Sequence, residues 1–265
     1  MMIIAALLAA FQALDVTSKA PVSLPPLPRG TSLTLHEEFS NNEYDFGGSV
    51  WPAAELLCRW LIEEEAEMKG ARVLELGSGT GAVGLFAAAI GASHVTLTDG
   101  GGPDLLKLLE ENVEHNRPLL GDASVDVDRL TWGDMAESCL AADQPYTHIL
   151  AADVLYGIGD DPTVASADAS DRCEALAATL EALLLCAPDG VTPPRVIMAY
   201  TYRHHGKRGS LPFDMGDDVL EHFLKATAMR SLQVRELKSE RPVMMRSVDA
   251  ENVWSNDMVV FEVCA

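Results

Sequence analysis

Basic side chains are scarce in this chain: 19 Lys and Arg stand against 40 Asp and Glu, a formal charge of −21 over 265 residues. Affinity for a phosphate backbone comes from clustered Lys and Arg that release counterions, so this balance argues against a nucleic-acid partner. It suits a basic substrate and also favours solubility. Paired cysteines are lacking too. Cys58, Cys139, Cys173, Cys186 and Cys264 are odd in number and widely spaced, with no Cys-x-x-Cys and no His cluster beside them. That pattern argues against zinc or any other metal site and points to a reducing compartment, the cytoplasm. The one adjacent histidine pair, His204-His205, reads as a solvated loop tip. The apolar run Met2 to Leu14 is too short to span a bilayer, and it lacks the Lys or Arg that precedes a signal-peptide core. It reads as a helix docked on the domain, with a cleaved targeting segment as the alternative. Pro21 to Pro28 follows as an extended, semi-rigid connector.

A chain of this length can bury a full core, and one α/β domain over residues 31–265 behind an arm of residues 1–30 fits better than two domains. Ser32 to Glu37 alternates like a short strand, Gly47-Gly48 breaks the chain, and Pro52 opens an amphipathic helix over Ala53 to Ile62. Strand Arg72 to Leu76, helix Gly81 to Ile90, strand Val95 to Thr98 and helix Pro103 to Asn116 then alternate. The last of these carries Leu105, Leu106, Leu109 and Val113 on one face. Val127 to Trp132 and His148 to Ala152 read as strands, Ala175 to Cys186 as a helix and Arg195 to Tyr200 as a strand. Helix Val219 to Ala228 and closing strands Leu232 to Leu237 and Met258 to Val263 complete the pattern. Repeated strand-helix units predict a mainly parallel sheet covered on both faces. Two stretches interrupt the rhythm. Gly157 to Asp171 is acidic, rich in small residues and without a periodic apolar face, so a mobile excursion is expected there. Arg203 to Gly216 sets Arg203, Lys207 and Arg208 between glycines. Both are candidate substrate lids or tolerated surface insertions.

The chemistry starts where Arg72-Val73-Leu74-Glu75-Leu76 runs into Gly77-Ser78-Gly79-Thr80-Gly81. Glycines at a strand-to-helix turn admit positive φ and close approach of a ligand, and the following helix offers unpaired N–H groups. Asp99 closes the next apolar run about twenty residues on, where a carboxylate can accept from both ribose hydroxyls. Gly79, Gly81 and Gly84 also fit the G-x-G-x-x-G spacing of dinucleotide sites, so a nicotinamide or flavin cofactor competes with a sulfonium cofactor. Glu75 favours the second. A carboxylate at the mouth of the loop repels a pyrophosphate but attracts the ammonium of S-adenosylmethionine.

Four segments in order carry a family resemblance: Gly48-Ser49-Val50-Trp51-Pro52-Ala53-Ala54, Val73 to Gly81, Leu130-Thr131-Trp132-Gly133-Asp134, and Ile149 to Tyr156 ending in Asp153-Val154-Leu155-Tyr156. Together they resemble the lysine methyltransferase group of the seven-strand, S-adenosylmethionine-dependent enzymes, whose members act on elongation factors, molecular chaperones and calmodulin. The resemblance spans about residues 31 to 265 and is strongest from Gly47 to Tyr156. The glycine loop is shared by most class I methyltransferases; Trp51, Trp132-Gly133 and the final tetrad are more selective.

The resemblance implies a class I, Rossmann-like α/β fold with a seven-stranded sheet and an N-terminal extension. It implies that Gly77, Ser78 and Gly79 contact the methionine part of the cofactor, Asp99 its ribose, and Trp132 its adenine. Trp51 then helps enclose the cofactor and Ala152 offers backbone contact. Asp153 and Tyr156 become the methyl-transfer pair, Asp153 orienting the amine and Tyr156 packing on the substrate's aliphatic stem or a methylated cation. The blander readings are core tryptophans at positions 51 and 132, and a strand-end cap plus a buried tyrosine at 153 and 156. The expected partner is a protein presenting lysine, an elongation factor or chaperone, met by a monomer away from nucleic acid and membrane. A small-molecule N-methyltransferase and a cofactor-fold interaction module without turnover are the alternatives. Gly100-Gly101-Gly102 and the long acidic stretch after Tyr156 depart from the family pattern.

Overall fold

The computed structural model describes residues 24–38, 47–133, 145–156, 162–185, 190–202, 218–240 and 258–265. Helix α1 (Pro52–Glu63) begins at a proline, whose fixed φ suits a first helical turn. The short α2 (Glu65–Met68) leads to β1 (Arg72–Leu76), followed by α3 (Ala82–Ala89), β2 (His94–Asp99), α4 (Pro103–Asn116), β3 (Ser124–Arg129) and β4 (His148–Ala152). Then come α5 (Pro162–Leu185), β5 (Arg195–Thr201), α6 (Asp218–Met229), β6 (Gln233–Glu240) and β7 (Met258–Cys264). The seven strands lie in the order β3-β2-β1-β4-β5-β7-β6. All neighbours are parallel out to β5, and β7 runs antiparallel between β5 and β6.

Strand order places the site. From β1 the chain builds outward through β2 to β3, then returns to lay β4 on the other flank of β1. The carboxyl ends of β1 and β4 therefore border a crevice that no crossover fills, where open α/β sheets bind ligands. Side chains of β1 alternate between two cores. Val73 joins the core under α1 and α3, while Leu74 and Leu76 join the one under α5 and α6. Glu75 shares the Val73 face, so the period of two aims its carboxyl at α3.

Three expectations change. Ser32 to Glu37 is extended but joins no strand, because its backbone bonds to side chains of α4. The third strand is Ser124–Arg129, upstream of Val127 to Trp132, so Trp132 lies in the turn beyond it. Parallel pairing of His94↔Ser124 through Asp99↔Arg129 sets that register. The stretch expected as a mobile excursion is helical from Pro162 onward. Ala169 and Cys173 bury themselves in register with Leu176 and Leu180, so a face of small residues supplies the period. Residues 157–161, Arg203 to Gly216 with its histidine pair, and Met2 to Leu14 lie outside the described residues.

Candidate active site

The loop after β1 is built for glycine at alternate positions. Gly77, Gly79 and Gly81 have φ of 66°, 52° and 81°, values that side chains disfavour. A Cβ on Gly77 would lie 2.7 Å from Val154 Cγ1, and one on Gly79 would lie 2.6 Å from the Gly47 carbonyl oxygen. The loop is pinned to β2: Ser78 N donates to Thr98 O at 2.9 Å, and Thr98 N donates to Ser78 Oγ at 3.0 Å. Asp99 completes the corner. Its Oδ2 accepts from Gly79 N at 2.9 Å and its Oδ1 from Gly101 N at 2.8 Å.

These bonds correct one expectation. The N–H groups of Ser78 and Gly79 are taken by the protein, and Gly84 N, in the first turn of α3, donates to Glu75 Oε2 at 3.0 Å. An anion site needs such donors turned outward. Here the Thr98 carbonyl and the side chains of Asp99 and Glu75 occupy them, which opposes a pyrophosphate and so the nicotinamide and flavin alternatives. Glu75 itself lies buried at the base of the pocket. Burial pushes its carboxyl up from 4.5 to about 8, with the Gly84 N–H bond pulling the other way.

The facing wall comes from β4 and the turn after it. Asp153 follows Ala152 with φ of 54°, a left-handed conformation that costs a non-glycine residue energy and recurs at functional sites. Its N–H extends the β4–β5 ladder to Ala199 O at 2.8 Å, while Oδ1 accepts from Thr201 N at 3.3 Å. Tyr156 stands further along the same turn, and the Arg172 guanidinium lies 5.1 Å from its ring centroid. Arg172 is held in turn by Asp168, with Nε to Oδ2 at 2.8 Å. Burial raises the Tyr156 phenol above its usual range, and the charge of Arg172 opposes the rise.

One pocket of about 620 Å³ joins both walls. Glu75, Gly77, Ser78, Gly79 and Asp99 line it from β1 and β2; Ala152, Asp153 and Tyr156 line it from β4. Trp51, just before α1, and Trp132, after β3, close its sides half-exposed. Gly133 N donates to Thr179 Oγ1 at 2.9 Å, tying the turn that carries Trp132 to α5. Glu75 and every residue that the resemblance assigns to the cofactor or to methyl transfer therefore border the same space. Sequence reasoning missed Asp168, Asp171 and Arg172, which α5 brings to the rim. The signal was there: Asp168 and Arg172 are four residues apart, the spacing of a helical ion pair.

A family profile described as lysine methyltransferase matches residues 28–209. The chain belongs to the lysine methyltransferase family. It is similar to protein N-lysine methyltransferase METTL21A of Danio rerio, 43% identical over 107 residues that make 40% of this chain and 47% of the relative. It is also similar to EEF1A lysine methyltransferase 3 of Xenopus tropicalis, 35% identical over 127 residues, 48% of this chain and 53% of that one. The chain spans about half the length of these curated relatives. Among solved structures, SMU.776 in complex with SAH has a TM-score of 0.50 at 16% identity, covering 81% of this chain and 50% of that one. The methyltransferase domain of bacterial-CtHen1-CN also has a TM-score of 0.50, at 13% identity, covering 80% and 100%. Both share the fold.

The cofactor of such a family, S-adenosylmethionine, fits the residues present. The glycine turn leaves no room for side chains, Asp99 can accept hydroxyl donors, and Leu105, Leu130 and Trp132 add apolar lining suited to a flat base. Glu75 offers a carboxyl at the base for an ammonium.

Proposed function

We propose that this chain transfers a methyl group to the side-chain amine of a lysine in a non-histone protein. What carries the reading is the single pocket in which the Gly77–Gly79 turn and Asp99 face Asp153 and Tyr156. When bound, S-adenosylmethionine supplies a methyl group made electrophilic by its positively charged sulfur. The rest falls to the protein. A lysine ammonium has no lone pair and, with an ordinary pKa of about 10.4, must give up a proton to solvent before its nitrogen can attack. Removal from water and a neighbouring positive charge both favour the neutral amine. Asp153, whose Oδ1 accepts from Thr201 N, orients that amine through a hydrogen bond in this reading. Tyr156, with Arg172 against its ring, packs along the aliphatic stem in this reading. Positioning of the amine in line with the methyl group then supplies most of the acceleration.

The acidic composition supports a substrate segment rich in Lys and Arg, and an elongation factor or a chaperone is the class of protein we propose. The buried thiols of Cys58 and Cys173 suit a reducing, cytoplasmic setting, and we propose a monomer. Incubation of the purified protein with tritiated S-adenosylmethionine and a cell extract tests the reading. Label is expected in a protein band, and mass spectrometry should assign it to lysine. Label confined to small metabolites would overturn the protein-substrate claim.

A further inference from the structure

Residues 31–38 cross α4 as an extended strap whose backbone is bonded to side chains. Thr34 N donates to Asn116 Oδ1 at 2.9 Å, and Thr34 O accepts from Asn116 Nδ2 at 2.8 Å. His36 repeats the pattern with Asn112, at 2.7 Å to Oδ1 and 3.1 Å from Nδ2. Two carboxamides one helical turn apart thus stand in for the peptide groups of a neighbouring strand. The spacing matches: every second strap residue meets every fourth helix residue, and Leu33 and Leu35 pack toward the core between them.

Asn112 differs from Asn116 in what else it holds. Its Nδ2 also donates to Thr80 O in the glycine loop at 3.0 Å, and the residue is wholly buried. The other donation from Asn116 goes to Asn112 O, within the same helix, at 2.8 Å. Beyond His36 the strap bears directly on the pocket wall. Val50 N donates to Glu37 Oε1 at 2.6 Å, Glu38 N donates to Gly48 O at 2.9 Å, and a Cβ on Gly48 would lie 2.0 Å from Glu38 O. Gly47, Val50 and Trp51 line one side of the pocket, and Thr80 lines another. Strap, wall and glycine loop form one bonded unit, and Asn112 is the link between strap and loop.

We infer that Asn112 is a positioning residue for the cofactor, setting the glycine loop against the Gly47–Trp51 wall without itself lining the pocket. The inference rests on the cofactor reading given above. Because the ligand must touch both sides of the gap, loss of the link weakens binding even where the fold persists. Asn116 provides the control: it holds the same strap but makes no bond to the loop.

The test is calorimetric binding of S-adenosylhomocysteine to wild type, Asn112→Ala and Asn116→Ala, with thermal melts and hydrogen exchange of the unliganded proteins. Both variants should raise exchange at the Thr34 and His36 amides. Asn112→Ala should lose about tenfold in affinity, the scale of one buried hydrogen bond, while Asn116→Ala should lose under about twofold at comparable loss of Tm. Equal affinities in the two variants, or losses that simply follow Tm, overturn the inference while leaving the cofactor reading intact. A wild type that binds no S-adenosylhomocysteine removes the cofactor reading and the inference with it. Should Asn112→Ala fail to fold, Glu37→Ala decides: near the surface, it cuts the strap's bond to Val50, and unchanged affinity there also overturns the inference.

Discussion

Asp153 combines a backbone conformation with a side-chain role, and substitutions separate the two. Asparagine tolerates left-handed φ and keeps an oxygen to accept from Thr201 N. Asp153→Asn should therefore stay within about 0.5 kcal/mol of wild-type stability and bind cofactor normally, while losing at least about tenfold in methyl transfer. Asp153→Ala loses the Thr201 bond and places a Cβ-bearing residue without local compensation at φ of 54°, so it should cost about 1–2 kcal/mol as well. Calorimetry, single-turnover rates and thermal melts separate these effects. Asp99→Ala is expected to show the reverse, with cofactor affinity lost first; equal cofactor loss in Asp153→Asn would contradict the division.

Glu75 makes a second prediction, of pH dependence. Its carboxyl is raised by burial from 4.5 to about 8 in the folded protein. Between these values the folded state holds a proton that the unfolded chain has lost, so stability declines with rising pH. The contribution is fully present below about 4.5 and lost as pH passes about 8. Glu75→Gln, which keeps an acceptor for Gly84 N, should flatten that decline. Urea denaturation of the two proteins from pH 5 to pH 9 measures it, and parallel curves would sink the assignment.

At the scale of elements, α3 lies close against the sheet through Gly84. A Cβ there would come 2.2 Å from Leu97 Cδ2 and 2.7 Å from Glu75 Oε2. Alanine is the better helix former by about 1 kcal/mol, yet overpacking typically costs about 1–3 kcal/mol. Gly84→Ala should therefore lower Tm, since the collision involves a buried carboxyl that cannot swing into water. A gain in Tm would show that the helix moves off the sheet freely. Elements of this kind were legible in the sequence because their own periodicity specifies them: Pro103–Asn116 and His148–Ala152 fall where the apolar spacing puts them. The strap was misread because its alternation is genuine while its partners, Asn112 and Asn116, belong to a helix and carry no strand signal. The early turns of α5 were missed because alanine and cysteine, at Ala169 and Cys173, supply a buried face without the hydropathy of leucine. With α5 went Arg172, whose place beside Tyr156 depends on a helix not recognised there. The glycine loop and Asp99 were readable because glycine and carboxylate positions follow from local geometry at strand ends, whereas Asp153 and Tyr156 were named through the family resemblance.

Across the whole molecule, the charge of −21 and the acidic groups at the pocket act in the same direction. Asp99, Asp153, Asp168 and Asp171 line the site, with Arg172 the basic residue in its lining among the described residues. Such an arrangement raises the local concentration of a cationic segment and speeds its encounter, an effect screened over about 8–10 Å at physiological ionic strength. Once the proposed substrate lysine is seated and water is displaced, screening by bulk salt matters far less. Raising salt should therefore lower kcat/KM severalfold for a peptide whose target lysine is flanked by Arg and Lys, with kcat nearly unchanged. A peptide with neutral flanks should show a much shallower dependence, because a single charge is steered weakly. Initial rates for both peptides across a salt series make the comparison internal, cancelling any effect of salt on the enzyme or on cofactor binding. Coincident curves would mean that the acidic surface serves solubility alone and that substrate choice is made by contacts inside the pocket.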